Sequence, residues 1–227
     1  MPFLLRLAAD PQAHGRTRAL VTSVARQQHW GWGTRDEFLL TVRPGLCCSC
    51  DGYAMNWAIE ASRHAVTADT DLLLGLLHDP DPEIRIWACY TLATALGSAD
   101  RITAALRTRL AVERAPGVRA SLVLAVAELA RERTGSLAAT WLDALWADPA
   151  RPADVRVPAA LAWLCPADGP VPDDLRATVD ALVADDLAPV LGDVPWFRHV
   201  NDVNGLTDTL RQMLNGAEPA TNFAPPF

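Results

Sequence analysis

Three arginines stand in matched surroundings: Arg85 in IRIWA, Arg119 in VRASL and Arg156 in VRVPA, with steps of 34 and 37 residues. A guanidinium is a rigid, permanently charged fork of five donors that meets a carboxylate or phosphate through two parallel hydrogen bonds. Forks repeated at one spacing can form a ladder facing an anionic partner. They can equally close on carboxylates in nearby turns, such as Asp79, Asp81 or Asp154, and fasten the fold. The surrounding stretch adds to the positive field, with arginines at 101, 107, 109, 114, 119, 131 and 133 against glutamates at 113, 128 and 132. A phosphate backbone would seek such a field if it lay on one face. A different chemistry is offered by Cys47-Cys48-Ser49-Cys50, whose Cys-x-x-Cys pair lies before a helix start that would lower a thiol pKa. Zinc needs four ligands, and only scattered residues (Cys48, His29, His64) are left to complete a site. We therefore expect an ordinary loop of reduced thiols, no metal and no cofactor. No nucleophile–base pairing or glycine-rich phosphate loop stands out, so no catalytic residue is assigned.

The elements that position these arginines follow from apolar spacing. Leu73, Leu76 and Leu77 recur at helical intervals, as do Ile84, Ala88, Leu92 and Leu96. Between the two runs, His78-Asp79-Pro80 stops one helix, because a residue before proline is pushed out of the helical region. Asp81 is placed to cap the next helix, with Pro82 at its first position, where a missing N–H costs nothing. Neither helix can bury its apolar face alone, so the hairpin requires neighbours of its own kind. The stretch Leu72–Leu96 resembles a HEAT repeat, and Ile84-Arg85-Ile86-Trp87-Ala88 carries the resemblance through its Val/Ile-Arg-x-x-Ala pattern. The pattern returns at Val118-Arg119 and Val155-Arg156, with weaker equivalents at Arg18 and Met55. The anchor series 18, 55, 85, 119, 156 fits two-helix units of roughly 33 to 47 residues.

The chain accordingly reads as all-α, a right-handed α-solenoid of about five HEAT-like helical hairpins with a divergent acidic C-terminal cap. Unit one takes a short helix around Leu4, Leu5 and Leu7 and a second near 15–28. Unit two opens with the capping pattern Thr34-Arg35-Asp36-Glu37, and its second helix runs to about Ala65. Unit three is the hairpin above, with Asp69 or Thr70 as its cap. Unit four has the stripes Ile102, Leu106, Leu110 and Val118, Leu122, Val126. In unit five Pro158 falls within the first turn after Asp154, where N–H groups are unpaired in any case. The solenoid is expected over 1–166 and the divergent helical cap over 167–216. The cap holds a helix at Leu175, Val179, Leu182 and Val183 and a last one over 200–214. Residues 217–227 are expected to be a disordered tail.

Composition narrows the function classes. The formal charge of −7 is carried by the C-terminal end. Residues 1–166 hold 17 acidic and 17 basic residues, whereas 167–227 hold 10 and 3, which argues against a nucleic-acid footprint there. All 20 basic residues are arginine, and with the abundance of alanine this suggests a GC-rich bacterial, actinobacterial gene. No apolar run reaches the roughly 18 residues of a membrane span, and the N-terminus lacks the basic-then-apolar order of a secretory signal. An odd count of 5 cysteines fits reduced thiols. A cytoplasmic protein is the expectation.

The resemblance implies non-catalytic binding of a protein or peptide partner on the concave face lined by the second helices. There Val118–Ala127 reads VRASLVLAVA and Val155–Cys165 reads VRVPAALAWLC, apolar nearly all round. A helix of that kind is buried on every side or lies under something. Tyr90, Val123, Leu124 and Leu161 are the candidate partner-binding residues, with Arg85, Arg119 and Arg156 beside them. The groove would accept an amphipathic partner helix or the chain's own C-terminal tail, residues 217–227. The alternative is a HEAT-like DNA glycosylase acting on alkylated purines, which would be expected to place an Asp beside aromatic residues in a positive groove. Deoxyhypusine hydroxylase, another HEAT protein, holds iron with His-Glu pairs; His14, His29, His64, His78 and His199 all lack a following Glu.

Overall fold

The computed structural model describes residues 2–18, 61–131, 136–165, 170–182, 187–197 and 206–215, and all regular structure among them is helical. The helices are α1 (Pro2–Ala9), α2 (Thr70–Leu76), α3 (Pro82–Leu92), α4 (Ala99–Leu110), α5 (Pro116–Arg131), α6 (Ser136–Ala147), α7 (Ala153–Leu164), α8 (Asp173–Leu182), α9 (Leu187–Gly192) and α10 (Leu206–Asn215). Residues 61–68 are helical as well.

Three hairpins, α2–α3, α4–α5 and α6–α7, form the body, and the second helices α3, α5 and α7 pack side by side. Asp81 caps α3 as its sequence position predicts: its Oδ1 accepts the Glu83 N–H at 2.9 Å, and Pro82 occupies the first position. Leu73, Leu76, Ile84, Leu92, Ile102, Leu106, Val118 and Leu122 all lie in one continuous core. Burying each such side chain contributes roughly 1.5–3 kcal/mol relative to leaving it exposed.

Local readings are corrected at two places. Asp69 makes no capping hydrogen bond, and the Thr70 hydroxyl bonds backwards to the Thr67 carbonyl at 2.8 Å. The Asp69 N–H donates to Ala65 O at 3.0 Å and the Leu73 N–H to Asp69 O at 3.2 Å. Residues 61–68 thus run almost directly into α2, separated from it by Asp69 alone, so a cap is not needed there. This is the behaviour of a threonine inside a helix, where the hydroxyl finds a carbonyl one turn back. The second correction concerns Pro158. Because α7 starts at Ala153, Pro158 is its sixth residue and stands inside the helix. It therefore removes a backbone donor from the helix interior rather than from the free first turn.

At the ends, α1 packs on α2, and the Arg18 side chain reaches Asp79 and the Ala8 carbonyl. The helix expected near 15–28 is described only over 15–18, where it is helical. The Cys47–Cys50 loop, Met55 and the second helix of unit two up to residue 60 lie outside the described residues; the end of that helix is described from 61 and continues past Ala65 to 68. At the other end α8 packs on α6 and α7, burying Leu175 and Val179. Arg176 donates to the Leu214 carbonyl at 2.8 Å and to Asn215 Oδ1 at 2.9 Å, which ties α10 to α8. The expected tail over 217–227 also lies outside the described residues.

Candidate functional site

The arginine anchors are fasteners between hairpins. Arg85 closes the first turn of α3, which Pro82 begins, and its fork faces the hairpin that follows. Its Nε and Nη2 donate to Glu113 Oε2 and Oε1, both at 3.0 Å, while Nη1 bonds the carbonyls of Asp79 at 2.7 Å and Pro80 at 3.1 Å. Arg119 repeats the arrangement one hairpin later, with Nε to Asp154 Oδ2 at 2.6 Å and Nη2 to Oδ1 at 2.9 Å. Arg18 and Asp79 form a third pair of the same kind. In each, the arginine comes from one hairpin and the carboxylate from the turn, or the first helical turn, of the hairpin packed on it. Arg156 departs from the series. Its Nε donates to the Trp146 carbonyl at 2.9 Å, and among the described residues its Nη groups meet no carboxylate.

Glu113 is the hub of this network. Its side chain is 2% exposed. Besides Arg85 it receives Arg109 Nη2 at 2.7 Å and the N–H groups of Arg114 and Ala115, each at 2.9 Å. Burial pushes its carboxyl up. The Ala115 N–H, the Arg85 and Arg109 guanidinium groups and the Arg114 N–H outweigh that and hold it at about 2. Across the next junction, the hydrogen bonds to Asp154 raise Arg119 above its ordinary value against the opposing effect of burial. Of the turn carboxylates expected as acceptors, Asp154 serves Arg119, Asp79 serves Arg18, and Asp81 caps α3. Glu113, the acceptor for Arg85, was counted in the sequence only as a charge opposing the local arginines.

The apolar strip is closed. Val123, Leu124 and Leu161 are fully buried, and Tyr90 is nearly so. Residues Ser121 to Leu129 on α5 are buried without interruption, which requires cover on every side of that helix. α4 and α6 supply one side. The other is taken by the C-terminal segment 187–197, whose α9 packs on both α5 and α7. Leu187, Leu191, Val194, Trp196 and Phe197 of this segment are buried. A Cβ on Gly117, in the first turn of α5, would stand 3.2 Å from Ile86 Cδ1 and 3.7 Å from the Val190 carbonyl, so the segment passes close over the start of α5. The strip therefore already holds a short helix, and that helix is the chain's own.

At Trp196, three aromatic rings and an acid meet. Tyr90 stands edge-on to Trp196 at 4.8 Å and to Trp87 at 5.8 Å. The Trp196 indole N–H donates to Glu128 Oε2 at 2.9 Å, and both residues are buried. Tyr90 is among the candidate residues of the sequence, whereas Trp196 and Glu128 carry no motif that marks them. Trp146 and Trp163 meet edge-on at 6.4 Å on the α6–α7 hairpin.

The positive charge of residues 101–131 is largely engaged. Arg101 pairs with Asp71, Arg107 lies 4.6 Å over the Trp141 ring, Arg109 holds Glu113 and Arg119 holds Asp154. Among the described residues, no three His, Cys, Asp or Glu side chains come together as a metal site. No helix there is long and apolar enough to cross a membrane. The buried thiol of Cys89 is pushed up by burial.

A family model described as HEAT repeat matches residues 70–96, which take in α2, its turn and α3. No curated protein and no solved structure matches the chain.

Proposed function

We propose that this chain is a non-catalytic scaffold of HEAT-repeat type, a cytoplasmic bacterial adaptor that takes a protein or peptide partner on the face of its second helices. One observation carries the reading: the face formed by α3, α5 and α7 accommodates a short apolar segment, with α9 on α5 and α7 and Trp196 against Tyr90 of α3. A groove that fits α9 has the width and apolar chemistry that helix-in-groove recognition uses. Tyr90, Val123, Leu124 and Leu161 are its floor. Arg85 and Arg119 brace the turn side through their carboxylates, and the Nη groups of Arg156 supply a charged contact at its end.

The DNA glycosylase alternative has one observation in its favour, a carboxylate among aromatic rings at Glu128, Trp196, Tyr90 and Trp87. Against it stand the burial of Glu128 beneath Trp196 and the internal engagement of the arginines that would contact phosphates. The test pairs two measurements. The full chain selects binders from displayed amphipathic peptides, and the selected peptide is mapped by methyl NMR. Shifts on α3, α5 and α7, with or without shifts in the covering segment 187–197, support the adaptor. Shifts confined to α2, α4 and α6, or release of alkylated bases from duplex DNA, overturn it.

A further inference from the structure

Residues 187–197 are attached differently from the rest of the body. The fasteners between hairpins, Arg18–Asp79, Arg85–Glu113 and Arg119–Asp154, join hairpin to hairpin and include no residue of this segment. Its helix α9, Leu187–Gly192 over the described residues, packs on α5, α7 and α10, so its order draws on the surfaces around it. Pro189 and Pro195 each lack a backbone donor, and the turn after α9 is held by the Val194 N–H to the Leu191 carbonyl at 3.0 Å and the Phe197 N–H to the Val194 carbonyl at 2.9 Å. What holds it is side-chain burial: Leu187 and Leu191 at an i, i+4 spacing, then Val194, Trp196 and Phe197, with the Trp196–Glu128 bond as a polar contact.

We infer that the segment 187–197 is an autoinhibitory strap, a built-in occupant that a partner must displace to reach the α3–α5–α7 face. The inference rests on the adaptor reading and names the partner's chemistry. The displacing segment is a short amphipathic protein helix with two aliphatic residues one turn apart, followed by a tryptophan. The tryptophan is selected by Glu128. This carboxylate is fully buried, and removing a donor from a buried acceptor incurs its desolvation penalty. Phenylalanine fills similar volume and offers no N–H, so it is a poorer substitute. The strap lowers apparent affinity by the fraction of chains in which it is closed, which sets a threshold for the partner.

Native-state hydrogen exchange on the full chain tests the strap without altering it. Amides of 187–197 are expected to exchange at least tenfold faster than the most protected amides of α5, through an opening that leaves α3, α5 and α7 protected. Exchange of both in one global event would make the strap ordinary core and overturn the inference. A second arm uses a fluorescent peptide of sequence 187–197. Its affinity is expected to be at least tenfold higher for full-length Trp196→Ala than for the unaltered chain. Equal affinity, or loss of helical signal in Trp196→Ala, counts against the strap. A concentration-dependent dimer in sedimentation with strap amides still protected would make a second copy the occupant and also overturn it. A selected peptide that binds the second-helix face while 187–197 keeps its protection sinks the strap and leaves the adaptor reading standing.

Discussion

Glu113→Gln is the sharpest perturbation available. The substitution keeps the size of the side chain and removes its charge, leaving Arg85 buried opposite a neutral amide. The magnitude can be worked from two directions. The carboxyl is held at about 2 against an ordinary value of 4.5. Each unit of displacement corresponds to 1.36 kcal/mol, so the charge contributes about 3 kcal/mol above both values. Independently, removing one partner of a buried ion pair costs roughly 3–5 kcal/mol, because it strands the other charge. The sign fixes the pH window. A carboxyl whose folded value is depressed contributes stability above its unfolded value and loses that contribution as pH falls towards the folded value. Urea unfolding should therefore show Glu113→Gln about 3 kcal/mol less stable than the unaltered protein at pH 7. The difference should shrink steadily between pH 4.5 and 2. A difference below about 0.5 kcal/mol at pH 7, the scale of an exposed pair, would refute the hub. So would a difference independent of pH across that window.

Other outcomes follow from the same geometry. Truncating Leu76 or Leu122 to Ala should cost roughly 2–5 kcal/mol by denaturation. Asp81→Ala, which removes one cap bond, should cost about 1 kcal/mol. Arg101→Ala should change stability by less than ~1 kcal/mol, since its pairing with Asp71 is between exposed side chains and is screened by salt. Cys89 should resist a thiol reagent in the native protein and react on unfolding, because it is buried and its thiol is pushed up. Fast labelling at Cys89 under native conditions would show that α3 opens locally.

Legibility followed the range of the interaction. The α2–α3 hairpin could be read because its signals are local: Asp79-Pro80 to stop, Asp81-Pro82 to start, and leucines one turn apart. Arg119–Asp154 was within reach because both residues sit in repeated positions. Glu113 was missed although a signal existed, since a carboxylate precedes the anchor arginine by six residues at both Asp79–Arg85 and Glu113–Arg119. The continuous burial of α5 was visible as a helix apolar all round, but its cover was not. Trp196 lies 68 residues from Glu128, in a stretch of prolines and glycine without repeat periodicity. Nothing local tells such a segment which surface it will find. The Thr70 reading failed for the opposite reason. Threonine before an apolar run resembles a cap, yet the preceding residues were already helical and supplied the carbonyls themselves.

The direction of the arginine fasteners bears on how such a chain can grow. Two hairpins carry both halves of the joint, an acid in the turn and an arginine in the first turn of the second helix, Asp79 with Arg85 and Glu113 with Arg119. The third keeps the acid, Asp154, and turns its Arg156 to the Trp146 carbonyl. The two halves serve opposite neighbours. A tandem duplication of one hairpin thus creates a new junction with its donor and acceptor already matched, and no compensating substitution is needed. Deleting a whole hairpin is equally neutral to the chemistry of the joint, whereas changing a single acid breaks it at once. Gene segments of this kind can change in number more easily than in detail, until a segment such as α8, lying on the last pair, ends the series.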